Sequence, residues 1–245
     1  MPLKEEFRVQ GDFLFKYRSF LPVLIIIPGI IVFVRNLQNF DLSISFNWEL
    51  ICLAISLFGL LIRMMAIGYS ADNTSGRNTS EGQIADHINT TGLYSIVRHP
   101  LYVGNYFMWL GIACLTRHFW FLLAFTFLYY LYYERIMYAE EEFLREKYGD
   151  RYANWASKVP AFIPKLGQWK KPHLSFSWVK IIRQEKAGIL NLFLVILIFK
   201  LIEAYCRHGE VQQVSRFWLF AFLASLVWYL LIKILQKSGV FKIDR

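Results

Sequence analysis

Apolar residues fall in six blocks along the chain, at about 19–35, 47–68, 101–115, 119–138, 188–206 and 217–235. Most approach the roughly 20 residues a helix needs to cross the hydrocarbon core of a bilayer. The third block is short, so it is expected to be tilted, extended by the Arg98-His99-Pro100 turn, or only partly inserted. None of the blocks alternates with period two, as the strands of a transmembrane barrel would. The bilayer offers no water to backbone N–H and C=O groups, which leaves helices. The pattern therefore predicts an all-α polytopic membrane bundle of about six transmembrane helices.

Charge sets the expected orientation. With the N-terminus in the cytoplasm, 20 of the 27 lysines and arginines fall in inside regions and 4 in the opposite loops. The positive-inside rule then predicts that both termini are cytoplasmic. Two inside regions result. One, about 69–100, contains the polar turn Asn73-Thr74-Ser75-Gly76-Arg77-Asn78. The other, about 139–187, ends its first part in Val159-Pro160-Ala161-Phe162-Ile163-Pro164. The third and fourth blocks are joined only by Thr116-Arg117-His118 and must form an antiparallel hairpin. That hairpin carries the residues around Arg98 toward those around Glu140.

Composition agrees. The chain is 56% hydrophobic and 18% charged, where a soluble domain carries about 25% charge. Its net charge of +9 lies in loops that face anionic lipid, so the expected partner is a lipid bilayer and not nucleic acid. Cys52, Cys114 and Cys206 lie far apart in apolar blocks without CxxC or Cys/His spacing, so neither a metal site nor a disulfide framework is expected. Residues 1–20 are too polar and too long for a signal-peptide n-region, and the first block is read as a retained span. The Lys242-Ile243-Asp244-Arg245 end lacks a eukaryotic retention signal, which points to a prokaryotic cytoplasmic membrane.

The candidate chemistry lies in Thr90-Thr91-Gly92-Leu93-Tyr94-Ser95-Ile96-Val97-Arg98-His99-Pro100-Leu101-Tyr102-Val103-Gly104-Asn105 and in Glu140-Glu141-Glu142. Pro100 can start a helix at no hydrogen-bond cost, which turns a positive helix end toward Arg98 and His99. Taken singly, each residue has a plainer reading. Arg98 can anchor at headgroups, and Glu141 can pair with Arg145 along its own helix. Tyr129, Tyr130, Tyr132, Tyr133 and Tyr138 read mostly as an interfacial belt, with cation–π contact to a ligand as the alternative. Arg63, Glu134, Lys200 and Glu203 lie toward the ends of spans and are expected to snorkel. No GxG, GxSxG or HExxH signature is present, so soluble-type nucleotide loops and hydrolase sites are not expected.

The arrangement Gly92-x-Tyr94-x3-Arg98-His99-Pro100-x-Tyr102-x-Gly104, a short hairpin, Glu140-Glu141-x2-Leu144-x3-Tyr148-Gly149-x2-Tyr152-x2-Trp155 and Val159-Pro160-x3-Pro164 closely resembles the isoprenylcysteine carboxyl methyltransferase and phospholipid methyltransferase superfamily over about residues 50–166. The resemblance implies an S-adenosyl-L-methionine-dependent methyltransferase acting on a membrane lipid or small hydrophobic acceptor at the cytoplasmic face. It implies that Arg98, His99 and Glu141 are catalytic. It further implies that His99, Pro100, Tyr102, Gly104, Asn105, Glu140, Glu141, Tyr152, Pro160 and Pro164 hold the cofactor. An amine or hydroxyl acceptor would need a proton acceptor, for which His99 or a glutamate is the candidate; a carboxylate would not.

Two positions depart from the pattern. Many members carry an acidic residue where this chain has Asn105, and many have Tyr at Trp155. The helices after about 187 have no counterpart in the matching core. The chain is accordingly divided into 1–46, an N-terminal segment and first membrane helix; 47–166, a methyltransferase-like membrane core with a cytoplasmic cofactor site; and 167–245, a basic linker and added helical hairpin. The alternatives are an NADPH-dependent sterol-reductase-like enzyme and a non-catalytic transporter or assembly factor. Oligomeric state is not read from the sequence.

Overall fold

The computed structural model describes residues 1–18, 21–40, 45–72, 74, 78–79, 82–83 and 86–238. Of the polar turn at 73–78, Asn73 and residues 75–77 lie outside the described residues, as does the Lys242–Arg245 end. The helices are α1 (Leu3–Tyr17), α2 (Leu21–Phe40), α3 (Phe46–Gly68), α4 (Pro100–Cys114), α5 (Phe119–Tyr148), α6 (Asp150–Ala156), α7 (Trp178–His208) and α8 (Arg216–Lys237). Among the described residues the only sheet is a two-residue pair, Asn78–Thr79 with Gly82–Gln83. The all-α membrane bundle is thus borne out, and the six apolar blocks lie in α2, α3, α4, α5, α7 and α8. By length and composition α3, α7 and α8 are long and apolar enough to cross a membrane. The 15 residues of α4 reach only about 22 Å at 1.5 Å each, which is the short third block the sequence predicts.

Local chemistry sets the helix ends. The hydroxyls of Ser45 and Ser177 accept the backbone N–H of Trp48 and Lys180 at the starts of α3 and α7, and His118 Nδ1 accepts that of Phe121 at the start of α5. Pro100 occupies the first turn of α4.

Helices α3 and α4 pack backbone to backbone. A Cβ at Gly59 would meet Gly104 O at 2.4 Å, one at Gly104 would meet Gly59 O at 2.7 Å, and one at Gly111 would meet Cys52 O at 2.3 Å. Small residues allow two membrane helices to approach backbone to backbone, and Ser56 Oγ adds a hydrogen bond to Met108 O at 2.9 Å. The main core lies where α2, α3, α4, α7 and α8 meet and includes Phe33, Cys52, Ile112, Leu192, Phe199 and Trp218. Cys52 and Cys114 are buried free thiols, and Cys206 is exposed.

Residues 3–17, in the polar segment ahead of the first apolar block, form α1, which packs on the C-terminal half of α5. A Cβ at Gly11 would meet Arg135 O at 2.2 Å, and Arg8 donates to both Glu146 oxygens at 2.6 and 3.0 Å. Lys200 and Glu203 do not snorkel. Both are buried, and Lys200 Nζ bridges Glu49 and Glu203, while Trp218 Nε1 donates to Glu49 at 2.5 Å and Arg207 lies 3.4 Å from Glu203. Burying such charges is tolerable only because each has a partner. The network ties α3, α7 and α8 together at the end of the bundle remote from Arg98. Glu134, by contrast, is partly exposed and pairs with its neighbour Arg135 at 2.8 Å.

Candidate functional site

At the other end of the bundle three helix ends, the C-terminus of α3 and the N-termini of α4 and α7, meet the second half of α5. Ser177 N donates to Gly68 O at 3.0 Å and joins α7 to α3. The loop before α4 is held by a strap, residues 159–172, that crosses it. Arg98 N donates to Pro160 O at 2.8 Å, His99 N to Ala161 O at 3.2 Å, Lys165 N to Ile96 O at 2.9 Å and Gly92 N to Lys170 O at 2.9 Å. Gly92 has φ +62, next to Pro172, a conformation that costs glycine little.

The α4–α5 hairpin brings the two sequence clusters together as expected. His99 Nε2 lies 2.9 Å from Glu141 Oε1 and Nδ1 lies 3.5 Å from Glu140 Oε2. Tyr102 Oη donates to Glu140 Oε2 at 2.9 Å. Arg98 Nε lies 3.2 Å from Glu141 Oε1, and Arg98 Nη1 donates to Ala156 O at 3.1 Å. The Glu141–Arg145 pairing is not what forms: Arg145 and Lys4 both take Glu142, at 3.2 and 3.4 Å.

The electrostatics follow from this geometry. Burial works to lower the pKa of His99, but hydrogen bonds and charge from Glu140 and Glu141 outweigh it and raise the pKa to about 9. His99 is therefore an imidazolium at neutral pH, with both ring nitrogens directed at carboxylates. Burial also pushes the Tyr94 and Tyr152 phenols above their ordinary range, so both remain neutral hydrogen-bond donors.

These residues border a cavity of about 430 Å³, within the roughly 300–1,000 Å³ of small-molecule sites. Of the sequence candidates, Arg98, His99, Pro100, Tyr102, Asn105 and Glu140 line it. Tyr152 and Trp155 line a narrow adjoining slot that shares Tyr94, Arg98, His99 and Glu140. Their buried Oη and Nε1 atoms have no hydrogen-bond partner among the described residues. Glu141 stands behind His99. Gly104 faces Arg63 and Gly59 of α3, Pro160 contributes its carbonyl to the strap, and Pro164 is exposed.

Much of the cavity's remaining wall comes from residues to which the sequence reading gave no site role: Arg18, Arg63, Lys180, Gln184 and Glu185. Arg63 corrects the snorkelling expectation. It reaches across the bundle to Glu185 of α7, with Nε and Nη2 donating at 3.0 and 2.5 Å, and Nη1 donates to Asn105 Oδ1 at 2.6 Å. Asn105 Nδ2 in turn donates to Tyr133 Oη at 3.3 Å. Lys180 Nζ donates to Ser70 O and Ala71 O at 2.8 and 2.7 Å. The first turns of α7 thus line the cavity. A carboxylate three residues before an apolar block was the available signal for Glu185. Tyr129 and Tyr133 are buried and Tyr130 is exposed, so the tyrosines divide between interior and belt. Among the described residues no group of three His, Cys, Asp or Glu side chains is placed to hold a metal ion.

Part of the chain is similar to known proteins. The phospholipid methyltransferase family model matches residues 48–151. The protein-S-isoprenylcysteine O-methyltransferase of Schizosaccharomyces pombe is 37% identical over 83 residues, 33% of this chain and 35% of that protein. The nickel-cobalt-cadmium resistance protein NccN of Alcaligenes xylosoxydans xylosoxydans is 26% identical over 118 residues, 48% of this chain and 52% of its own. The cobalt-zinc-cadmium resistance protein CzcN of Cupriavidus metallidurans is 32% identical over 81 residues, 33% of this chain and 37% of its own. The chain spans about half or less of the length of these relatives. No solved structure matches it. Residues 48–151, which carry both the Arg98-His99 turn and the Glu140-Glu141 pair, match the phospholipid methyltransferase family and are similar to protein-S-isoprenylcysteine O-methyltransferases.

Proposed function

We propose that the chain is an S-adenosyl-L-methionine-dependent methyltransferase that acts on a lipid or small hydrophobic acceptor at the cytoplasmic membrane face. The observation that carries this reading is the cavity of about 430 Å³ bordered by the Arg98-His99-Pro100 start of α4 and by Glu140 of α5, within the family-matched segment. The donor set fits the cofactor. Glu140 offers a carboxylate to its cationic and hydroxyl groups, and Arg98 a guanidinium to its carboxylate. The slot lined by Tyr152 and Trp155 offers flat aromatic walls with two unpartnered buried donors. When bound, the cofactor supplies a methyl group on a sulfonium, ready for in-line displacement.

The chain's own residues position and screen. Glu141 acts as a positioning residue, holding His99 and the Arg98 guanidinium, while Glu140 is the carboxylate that faces the cavity. His99 is already protonated at neutral pH, so it anchors the carboxylate pair and does not accept a proton. An acceptor that must lose a proton would give it to Glu140. Holding donor and acceptor in line supplies most of the catalysis, since effective molarities for well-oriented groups are large.

The test is transfer of tritiated methyl from S-adenosyl-L-methionine into lipid extracts by the purified full chain, beside Glu140→Gln and Arg98→Ala. Label appearing in a lipid fraction with wild type, and at least about tenfold less with either variant, supports the reading. No label from a folded, cofactor-binding wild type refutes the lipid acceptor.

A further inference from the structure

From Arg151 to Gln184 the chain holds seven lysines and arginines and no carboxylate. Within this run the strap exposes large apolar side chains: Ile163 is 78% exposed, Leu166 74% and Trp169 48%. Lys158, Lys165, Lys170 and Lys171 alternate with them, all exposed, and no ion pair among the described residues includes any of the four. A soluble surface does not favour such a mixture, because exposed contiguous apolar patches mark a contact.

The position of the strap identifies what covers it. Phe162 lies with its ring 6.2 Å from Tyr106, in the second turn of α4, and 6.1 Å from Tyr130 of α5. Tyr130 is itself 46% exposed on an apolar block of α5. The strap therefore dips to the level of the membrane-spanning surface, and Ile163 and Leu166 continue that surface outward. Apolar tips beside unpaired lysines at this depth match a leaflet whose headgroups are anionic.

We infer that the strap is an anionic-lipid-binding edge of the protein: Ile163, Leu166 and Trp169 enter the bilayer interface, and Lys158, Lys165, Lys170 and Lys171 take lipid phosphates. The contact reaches the site through the backbone. The amides of Gly92, Arg98, His99 and Lys165 are the donors that pair loop and strap, so lipid that fixes the strap also fixes Arg98 and His99. Neither the inference nor its test depends on methyl transfer.

The test uses the full chain in nanodiscs of phosphatidylcholine alone or mixed with phosphatidylglycerol. Hydrogen exchange is read at the four amides. A fluorophore on Leu166→Cys, in a Cys206→Ser background, is quenched by brominated acyl chains. Anionic discs should slow exchange by about tenfold, given a few-fold contribution per lysine near the surface, and should deepen quenching. Both effects should vanish in the variant with all four lysines changed to Gln and weaken at high salt. Equal exchange in the two discs, or an effect that survives the lysine changes, overturns the inference. The same protection from inorganic phosphate in neutral discs would overturn the assignment to lipid.

Discussion

His99 offers the sharpest test of the site's electrostatics. Its pKa lies at about 9 against an ordinary 6.5, a difference worth about 3 kcal/mol at about 1.36 kcal/mol per unit. Because the folded pKa is the higher one, the native state holds a proton that the unfolded chain releases. The stabilisation is complete below pH 6.5, falls as pH rises from 6.5, and is gone above about 9. Burial alone pulls the other way. Neutralising both partners, with Glu140→Gln and Glu141→Gln together, should therefore carry His99 below its ordinary pKa. Imidazole nitrogen NMR of the detergent-solubilised protein reads this directly, with His99→Gln assigning the resonance. Unfolding at pH 6.5 and pH 9 should show wild type losing about 3 kcal/mol relative to His99→Gln. A wild-type His99 that titrates at or below 6.5 would refute the reasoning, because the carboxylates would then not outweigh burial.

Other predictions rest on packing and buried charge. Gly59→Ala and Gly104→Ala each drive a methyl into a facing carbonyl and should each cost about 1–3 kcal/mol, measured by thermal unfolding in detergent. Changing Gly149, which has open space around it but φ +55, should cost less, through backbone strain alone. Lys200→Met leaves Glu49 and Glu203 buried without their shared cation and should destabilise by about 3–5 kcal/mol, whereas Glu134→Ala, on a partly exposed pair, should fall within about 0.5 kcal/mol. Glu185→Ala removes both acceptors of the Arg63 fork and should lower stability and cofactor affinity together, the second read as a higher Kd at a temperature where the variant is folded.

The membrane class and the pairing of the Arg98 turn with Glu140-Glu141 were legible in the sequence because both follow from short-range facts. Apolar blocks of spanning length have one solution in a bilayer, and a three-residue link permits only an antiparallel hairpin. What escaped was long-range. Arg63 and Glu185 lie 122 positions apart and each, seen alone, resembles a charge at the end of a span. Lys200 and Glu203 look like snorkelling side chains until Glu49 arrives from α3. Helix α1 lies outside the six apolar blocks because its segment is polar on balance, yet Phe7 and Phe15 pack on α5 beside Gly11 and the Arg8–Glu146 pair. Gly104 shows the opposite problem. Its place in a motif suggests contact with a cofactor, yet the atoms nearest a Cβ there belong to α3.

The most direct test of the central claim is calorimetric titration of S-adenosylhomocysteine into the purified full chain. The account predicts a wild-type Kd on the order of micromolar. Binding should be at least about tenfold weaker in Arg98→Ala and in Glu140→Gln, a loss of about 1.4 kcal/mol or more. A folded wild type that gives no heat, or variants that bind as tightly as wild type, would contradict the assignment of this cavity to the methyl donor.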